Sequence, residues 1–380
     1  MLDKKYEEEL LALRRHFHMY PELALKEFET SAYIRAYMER LGYEIRGVEP
    51  TGLIAELPAL KNKEKTIVLR AEMDALPIQE KTGLSYASRK DGCMHACGHD
   101  AILAVVLMVA KLAAEAGDEF PVRLRILFEP AEEIGEGAKR MLDAGALEKS
   151  DAFVMFHFAG DQEIGLAVHE GQASSMIGSM EIHVHGKSSH WCEAEKGIDA
   201  IYGASCAVNA IYEVNRDYQG KGRHLVGIGA IHGGEYANII ADHVVLKGNI
   251  RATREEDFYA LKEVLKERFR EIERQTGTKI EMVFPKEPVL AFANDSGFTE
   301  TAQEVGREIF GDRFFLEGEE ELFLSGDNAY RYFEKTRGIF LVFLAALKGE
   351  NHPLHHPQFQ IDEEILSLSV KTLYEMIRRL

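Results

Sequence analysis

The sequence predicts an α/β protein interrupted by a smaller α+β domain. Three observations carry this. Short β-branched runs alternate with helical periodicity at the start of the chain. The middle third changes to a β-α-β-β-α-β order, the pattern of a ferredoxin-like unit. The α/β rhythm then returns, so the small domain reads as an insertion. Residues 1–177 and 288–380 are expected to form one discontinuous domain, and 178–287 the other.

Residues 3–18 and 26–41 have the apolar spacing of amphipathic helices, separated by Pro21. The run 66–71 reads as a buried strand and ends at Glu72-Met73-Asp74. Residues 101–114 form a strongly apolar helix. Residues 122–128 read as a strand leading into Glu129, and 152–156 as another with His157 at its end. In the middle third, strands are expected at 180–185, 225–231, 243–252 and 279–284, with helices at 196–214 and 255–275. The last part predicts a helix at 295–309, a strand at 339–343, a His-rich loop at 352–356 and a terminal helix from 362. Asp74, Glu132, Glu133 and His157 thus all follow predicted strands. Ligand sites in open α/β sheets form outside the carboxyl ends of strands.

The chain has 380 residues, too many for one ordinary core, so two or three domains are expected. A formal net charge of −18 argues against nucleic acid as a partner, since no basic excess is present to displace counterions. Four cysteines (Cys93, Cys97, Cys192 and Cys206) do not make a disulfide framework and suggest a reducing compartment. No apolar run reaches membrane-spanning length and the first residues lack a secretion signal, so a cytoplasmic protein is expected.

The chemistry concentrates in Met94-His95-Ala96-Cys97-Gly98-His99-Asp100. A thiolate and an imidazole one residue apart suit zinc and neighbouring transition ions. Gly98 permits close backbone approach, and Asp100 is placed to orient an imidazole. Glu129-Pro130-Ala131-Glu132-Glu133 supplies adjacent carboxylates, one able to hold metal and the other to act as general base. Alone, such a pair reads as solvated acids at a helix start. His157 alone reads as a core histidine, and His352, His355 and His356 as a solvated turn. Together they supply the nitrogen, oxygen and sulfur ligands of a two-metal hydrolase.

On these residues the chain resembles the aminoacylase-like co-catalytic metallopeptidase family. The nearest branch is that of hippurate hydrolases, indoleacetyl-amino-acid hydrolases and N-acyl-amino-acid amidohydrolases. The resemblance spans nearly the whole chain. It includes Leu69-Arg70-Ala71-Glu72-Met73-Asp74, Met94 to Asp100, Pro130-Ala131-Glu132-Glu133, Gly186 to His190, Ala237-Asn238-Ile239-Ile240, Gly248 with Arg251, and His355 with Pro357 and Phe359.

The resemblance implies a zinc-peptidase-like catalytic domain with a central mixed sheet flanked by helices, plus a ferredoxin-like lid and dimerisation domain. It implies two divalent metal ions per subunit (Zn, Mn, Co or Ni), held by Cys97, His99, Glu133, His157 and His355. Glu132 matches the general base, and Asp74 a carboxylate that orients ligands. His190 matches a histidine that stabilises the tetrahedral intermediate in a partner subunit's active site. Asn238 and Arg251 match residues that bind the substrate's carboxylate end, a task suited to a planar guanidinium. The implied reaction is hydrolysis of N-acyl amino acids or short peptides by metal-activated water, in a homodimer or higher homo-oligomer.

A dedicated deacetylase of one N-acetylated metabolite, of the N-acetyl-diaminopimelate or N-acetylcysteine type, is the alternative. A catalytically inactive metal-binding homologue is a third reading, against which the retained Glu132 argues. The chain departs from the family's pattern at Ile102, where a histidine is common, and at Glu72, Glu129, Trp191 and Gly326. These departures bear on substrate choice more than on chemistry.

Overall fold

A computed structural model describes residues 2–58, 63–160 and 162–380. The chain forms two compact units. The first comprises Met1–Ala173, Ala293–Gly318 and Asp327–Leu380, and the second Ser174–Phe292 with Glu319–Gly326. The segment Glu319–Gly326 thus packs with the inserted unit, although it follows position 288 in the sequence.

The first unit begins with α1 (Lys4–Met19), α2 (Phe28–Arg40), β1 (Glu44–Val48), β2 (Gly52–Glu56) and β3 (Thr66–Glu72). It continues through α3 (His99–Ala116), β4 (Arg123–Glu129), α4 (Gly137–Asp143), β5 (Ala152–Ala159) and β6 (Gly165–His169). The second unit holds β7 (Met176–His185), α5 (Ala200–Asp217), β8 (His224–Gly233), β9 (His243–Ala252), α6 (Glu255–Thr276) and β10 (Lys279–Val283). The first unit resumes with α7 (Ser296–Phe310), β11 (Phe314–Glu317), α8 (Tyr330–Phe333), β12 (Gly338–Leu344) and α9 (Glu364–Arg379).

In the first unit the sheet order is β1-β2-β4-β3-β5-β12-β6-β11. Strands β4, β3, β5 and β12 run parallel in the centre; β2 and β6 pair antiparallel to β4 and β12. This is the expected central mixed sheet. All of β3 is buried, as parallel strands covered on both faces must be. Helix α3 packs against it and is buried on every side from His99 to Ala110. Each buried Leu, Ile or Val there contributes about 1.5–3 kcal/mol, so an acidic residue at Val105 would break this layer. Ile102 is fully buried in that core.

The second unit has strand order β10-β7-β9-β8, all antiparallel. With its two helices this is the expected ferredoxin-like arrangement. Strand β7 alternates buried and exposed residues, and its apolar side packs with α5 and α6.

Three details differ from the sequence reading. Helix α3 begins at His99 rather than 101, so a proposed ligand occupies its first turn. Strand β5 runs on to Ala159, which puts His157 inside the strand, paired with Val342 of β12. The helix expected at 196–214 is α5, displaced to start at Ala200, where the Asp199 side chain accepts the N–H groups of Ile201 and Tyr202. Strands β1, β2, β6 and β11 are not among those expected from the sequence; each is a short segment set by its neighbours in the sheet. Among the described residues, no helix is long and apolar enough to cross a membrane.

Candidate metal centre

The parallel strands of the first unit end together, and their loops carry the chemistry. Cys97 lies just before α3, and Gly98 adopts φ +82°, a left-handed conformation that starts the helix at His99. The Cys97 Sγ stands 3.5 Å from His157 Nε2 and 3.4 Å from His355 Nε2. His355 itself has φ 65°, a strained choice for a non-glycine residue. Its N–H donates to the Ala96 carbonyl at 2.8 Å, which ties the far end of the chain beside Cys97.

The imidazoles of buried His99 and half-buried His157 are oriented by main-chain acceptors. His99 Nδ1 lies 2.8 Å from the Asp74 carbonyl, and His157 Nδ1 lies 2.9 Å from the Phe158 carbonyl. Those contacts put the proton on Nδ1 and leave each Nε2 lone pair free, the state a metal ligand requires. Asp74 acts at a second point. Its carboxylate accepts the main-chain N–H of Glu132 and of Glu133, each at 3.0 Å. The loop bearing the paired acids is further held by Glu27, which accepts the N–H of Ala131 at 2.9 Å.

The donor atoms of Cys97, His99 and His157 lie within 4.8 Å of one another, as do those of Cys97, Glu133 and His355, and those of His99, Glu132 and Glu133. Glu133 Oε1 is buried and has no hydrogen-bond partner. An unsatisfied buried carboxylate oxygen amid convergent sulfur and nitrogen donors fits a cation well. Cys97, His99 and Glu133 each belong to two of the three groups, so the groups overlap in one continuous donor cluster.

Electrostatics follow burial. Burial pushes the Cys97 thiol well up, reinforced by Glu133 and Glu132. Burial likewise raises Asp74 to about 7, opposed by His99 and the Glu133 N–H. Glu132 is raised by burial and by Asp327. A carboxyl above its ordinary range is suited to proton transfer near neutral pH.

Beneath the site lies a cluster that sequence reasoning did not assemble. Arg70, fully buried, bonds Glu129 at 2.7 Å, Glu72 at 2.7 Å, Asp327 at 3.1 Å and Asn328 at 2.8 Å. Tyr332 donates to Glu129 at 2.8 Å. The departures Glu72 and Glu129 are therefore partners of one guanidinium. An arginine inside a strand as apolar as β3 was the signal that could have found it. Asp100 is also a correction. Its carboxylate faces Arg14 at 3.2 Å and His18 at 2.8 Å rather than an imidazole of the site. His95 is buried with both ring nitrogens unpartnered and joins none of the donor groups.

The second unit carries the remaining candidates. His190 is exposed, and its Nδ1 accepts the Cys192 N–H at 3.1 Å, leaving Nε2–H free to donate. The Trp191 N–H donates to the Asn238 carbonyl at 3.2 Å, and His190 bridges Ile239, so His190 and Asn238 are neighbours. Arg251 is not with them. It sits near the end of β9, where it bonds Asn249 at 3.0 Å and the Leu324 carbonyl at 2.7 Å. Asn238 precedes the start of that strand, so at about 3.3 Å per residue the two lie on the order of 25 Å apart. At Gly326 an added Cβ would stand 3.0 Å from both Ile177 Cδ1 and the Ser175 carbonyl, which explains why no larger residue occupies it.

Overlapping donor groups, two of which share a thiol, with a carboxylate base candidate alongside, define a binuclear metallohydrolase. The chain belongs to Peptidase family M20/M25/M40, whose model matches residues 68–379. It is 34% identical to N-acetyl-L-cysteine deacetylase of Bacillus subtilis, over 98% of this chain and 88% of the relative. It is 31% identical to thermostable carboxypeptidase 1 of Saccharolobus solfataricus, over 96% of this chain and 93% of the relative. A crystal structure described as a dinuclear metal-binding peptidase of the M20 family, from Bacillus subtilis, matches with a TM-score of 0.84 and 30% identity, covering 99% of this chain and 98% of that one. The protein is thus a metal-dependent hydrolase of amide bonds with a binuclear metal centre.

Proposed function

We propose that the protein hydrolyses N-acyl amino acids, N-acetylated ones foremost, releasing a carboxylic acid and a free amino acid. The observation that carries this is the Cys97 thiol lying between His157 and His355, with Glu132 and Glu133 presented beside it by Asp74. The named deacetylase relative supports the acyl group. The free state of all four cysteines supports a reducing, cytoplasmic location.

In this reading Cys97, His99, Glu133, His157 and His355 hold two divalent ions. Such ions acidify water and polarise a carbonyl when bound. Glu132 accepts a proton from the attacking water at its carboxylate and delivers it to the departing amide nitrogen. Asp74 keeps Glu132 and Glu133 in register by gripping their main chain. His190 donates from Nε2 to the developing oxyanion. Arg251 and Asn238 hold the substrate's carboxylate. Their separation within one inserted unit supports a homodimer in which His190 and Asn238 serve one copy's site and Arg251 the other's.

Cleavage of short peptides from the carboxyl end is a second reading, favoured by the carboxypeptidase relative. The experiment is an activity screen of full-length protein loaded with zinc, manganese, cobalt or nickel. N-acetyl amino acids should be cleaved faster than N-benzoyl amino acids or dipeptides. Faster turnover of dipeptides would install the second reading, and no turnover of any of the three would overturn both.

A further inference from the structure

We propose that the outer face of the four-stranded sheet is a second, separate metal site, holding one divalent transition-metal ion on His183, His185 and His243. The inference rests on the second unit alone and is independent of the function proposed above. His183 and His185 are two apart on β7 and so share a face, and the register pairs His185 directly with His243 of β9. Their donor nitrogens all lie within 4.8 Å of one another. His183 Nδ1 stands 3.3 Å from His243 Nε2. Two nitrogens bound at about 2.0–2.1 Å to one tetrahedral zinc stand about 3.3 Å apart, so this pair already has the spacing of two ligands.

The neighbouring charges favour that use. Glu181 approaches His183 Nε2 at 3.6 Å, which favours a proton there and leaves the Nδ1 lone pair facing His243. Lys247 is drawn to Glu181 at 3.0 Å, and on β10 the register sets Lys279 opposite His185 and Glu281 opposite His183. The three rings lie nearly parallel, at 11° to one another, so His185 must turn about its side-chain bonds to complete the site. It is exposed, and solvent leaves it free to turn. Three imidazoles on a surface suit zinc, nickel or copper(II) rather than calcium or magnesium, which prefer oxygen. A fourth position would remain for water.

The test is zinc stoichiometry of the full-length protein, by equilibrium dialysis against buffered zinc and metal analysis. Wild type should bind about three zinc ions per chain, and His183→Asn/His243→Asn about two, with amide hydrolysis unchanged. His185→Gln, a single surface change, should give the same loss. The Cys97→Ala variant should lose zinc from the catalytic centre and retain the ion on the sheet. Copper(II) added as one equivalent to protein whose catalytic centre is already loaded with zinc should give a nitrogen-rich paramagnetic spectrum that is absent from the double variant. Equal zinc counts in wild type and both histidine variants would overturn the proposal, as would an unchanged copper spectrum.

Discussion

The Asp74 carboxylate accepts the main-chain N–H of Glu133 at 3.0 Å, with its other oxygen taking the N–H of Glu132 at the same distance. One buried side chain thereby fixes the loop that presents both acids, and its own carbonyl fixes His99. Asparagine can accept only one of the two N–H groups and would turn a donor toward the other. Asp74→Asn should lower kcat by about 10–100-fold, the usual effect of losing a group that orients ligands. Wild-type kinetics in this variant would remove Asp74 from the machinery.

Glu132 and Cys97 should separate in their effects. Glu132→Gln keeps the shape of the site and removes the proton acceptor, so turnover should fall by about 10²–10⁴-fold with metal content near wild type. Cys97→Ala removes a donor shared by two groups and should lower the bound metal itself. Elemental analysis alongside kinetics checks both, and full occupancy after loss of Cys97 would contradict its role as a ligand.

The distance between Arg251 and the His190–Asn238 pair predicts complementation. His190→Ala and Arg251→Ala should each be nearly inactive alone. Mixed, unfolded and refolded together, they should recover about one quarter of wild-type activity, because in the proposed homodimer half of the pairs would be mixed and one of the two sites in each would be intact. No recovery would show that all three residues act within one subunit.

Arg70 pairs with Glu72, Glu129 and Asp327 at once. Arg70→Met would leave those carboxylates buried without it. The expected cost is about 3–5 kcal/mol, read as a lowered thermal midpoint. A midpoint equal to wild type would mean the acids are neutral in the native state.

His18 predicts a pH dependence. Burial disfavours its charge, but Asp100 at 2.8 Å and Glu80 at 3.1 Å outweigh that and raise it to about 9 from an ordinary 6.5. A raised folded value means the charged form stabilises the fold. That contribution, on the order of 3 kcal/mol, is complete below pH 6.5 and is lost as pH rises through about 9. His18→Gln should therefore be less stable at pH 6 and lose less stability on going to pH 9. Parallel stability curves for the two proteins would refute the ion pairing.

Much of this was written locally in the chain. The ferredoxin-like order, the buried strands and the apolar helix after Cys97 follow from periodicities of two and 3.6 residues, which neighbouring side chains impose without outside help. The ligand types could also be read, since thiol, imidazole and carboxylate chemistry travels with residue identity. The short strands β1, β2, β6 and β11 could not, because their pairing partners rather than their own sequences make them strands.

The tertiary structure alone decided how those groups are used. It brought His355 to Cys97 across 258 positions. It turned Asp100 away from the site toward Arg14 and His18, and gave the orienting task to carbonyls at Asp74 and Phe158. It gathered Glu72, Glu129 and Asp327 around Arg70. The physical reason is the same in each case. A hydrogen bond or a buried charge pair depends on distances of about 3 Å between atoms far apart in the chain, and only packing of the whole core sets those distances.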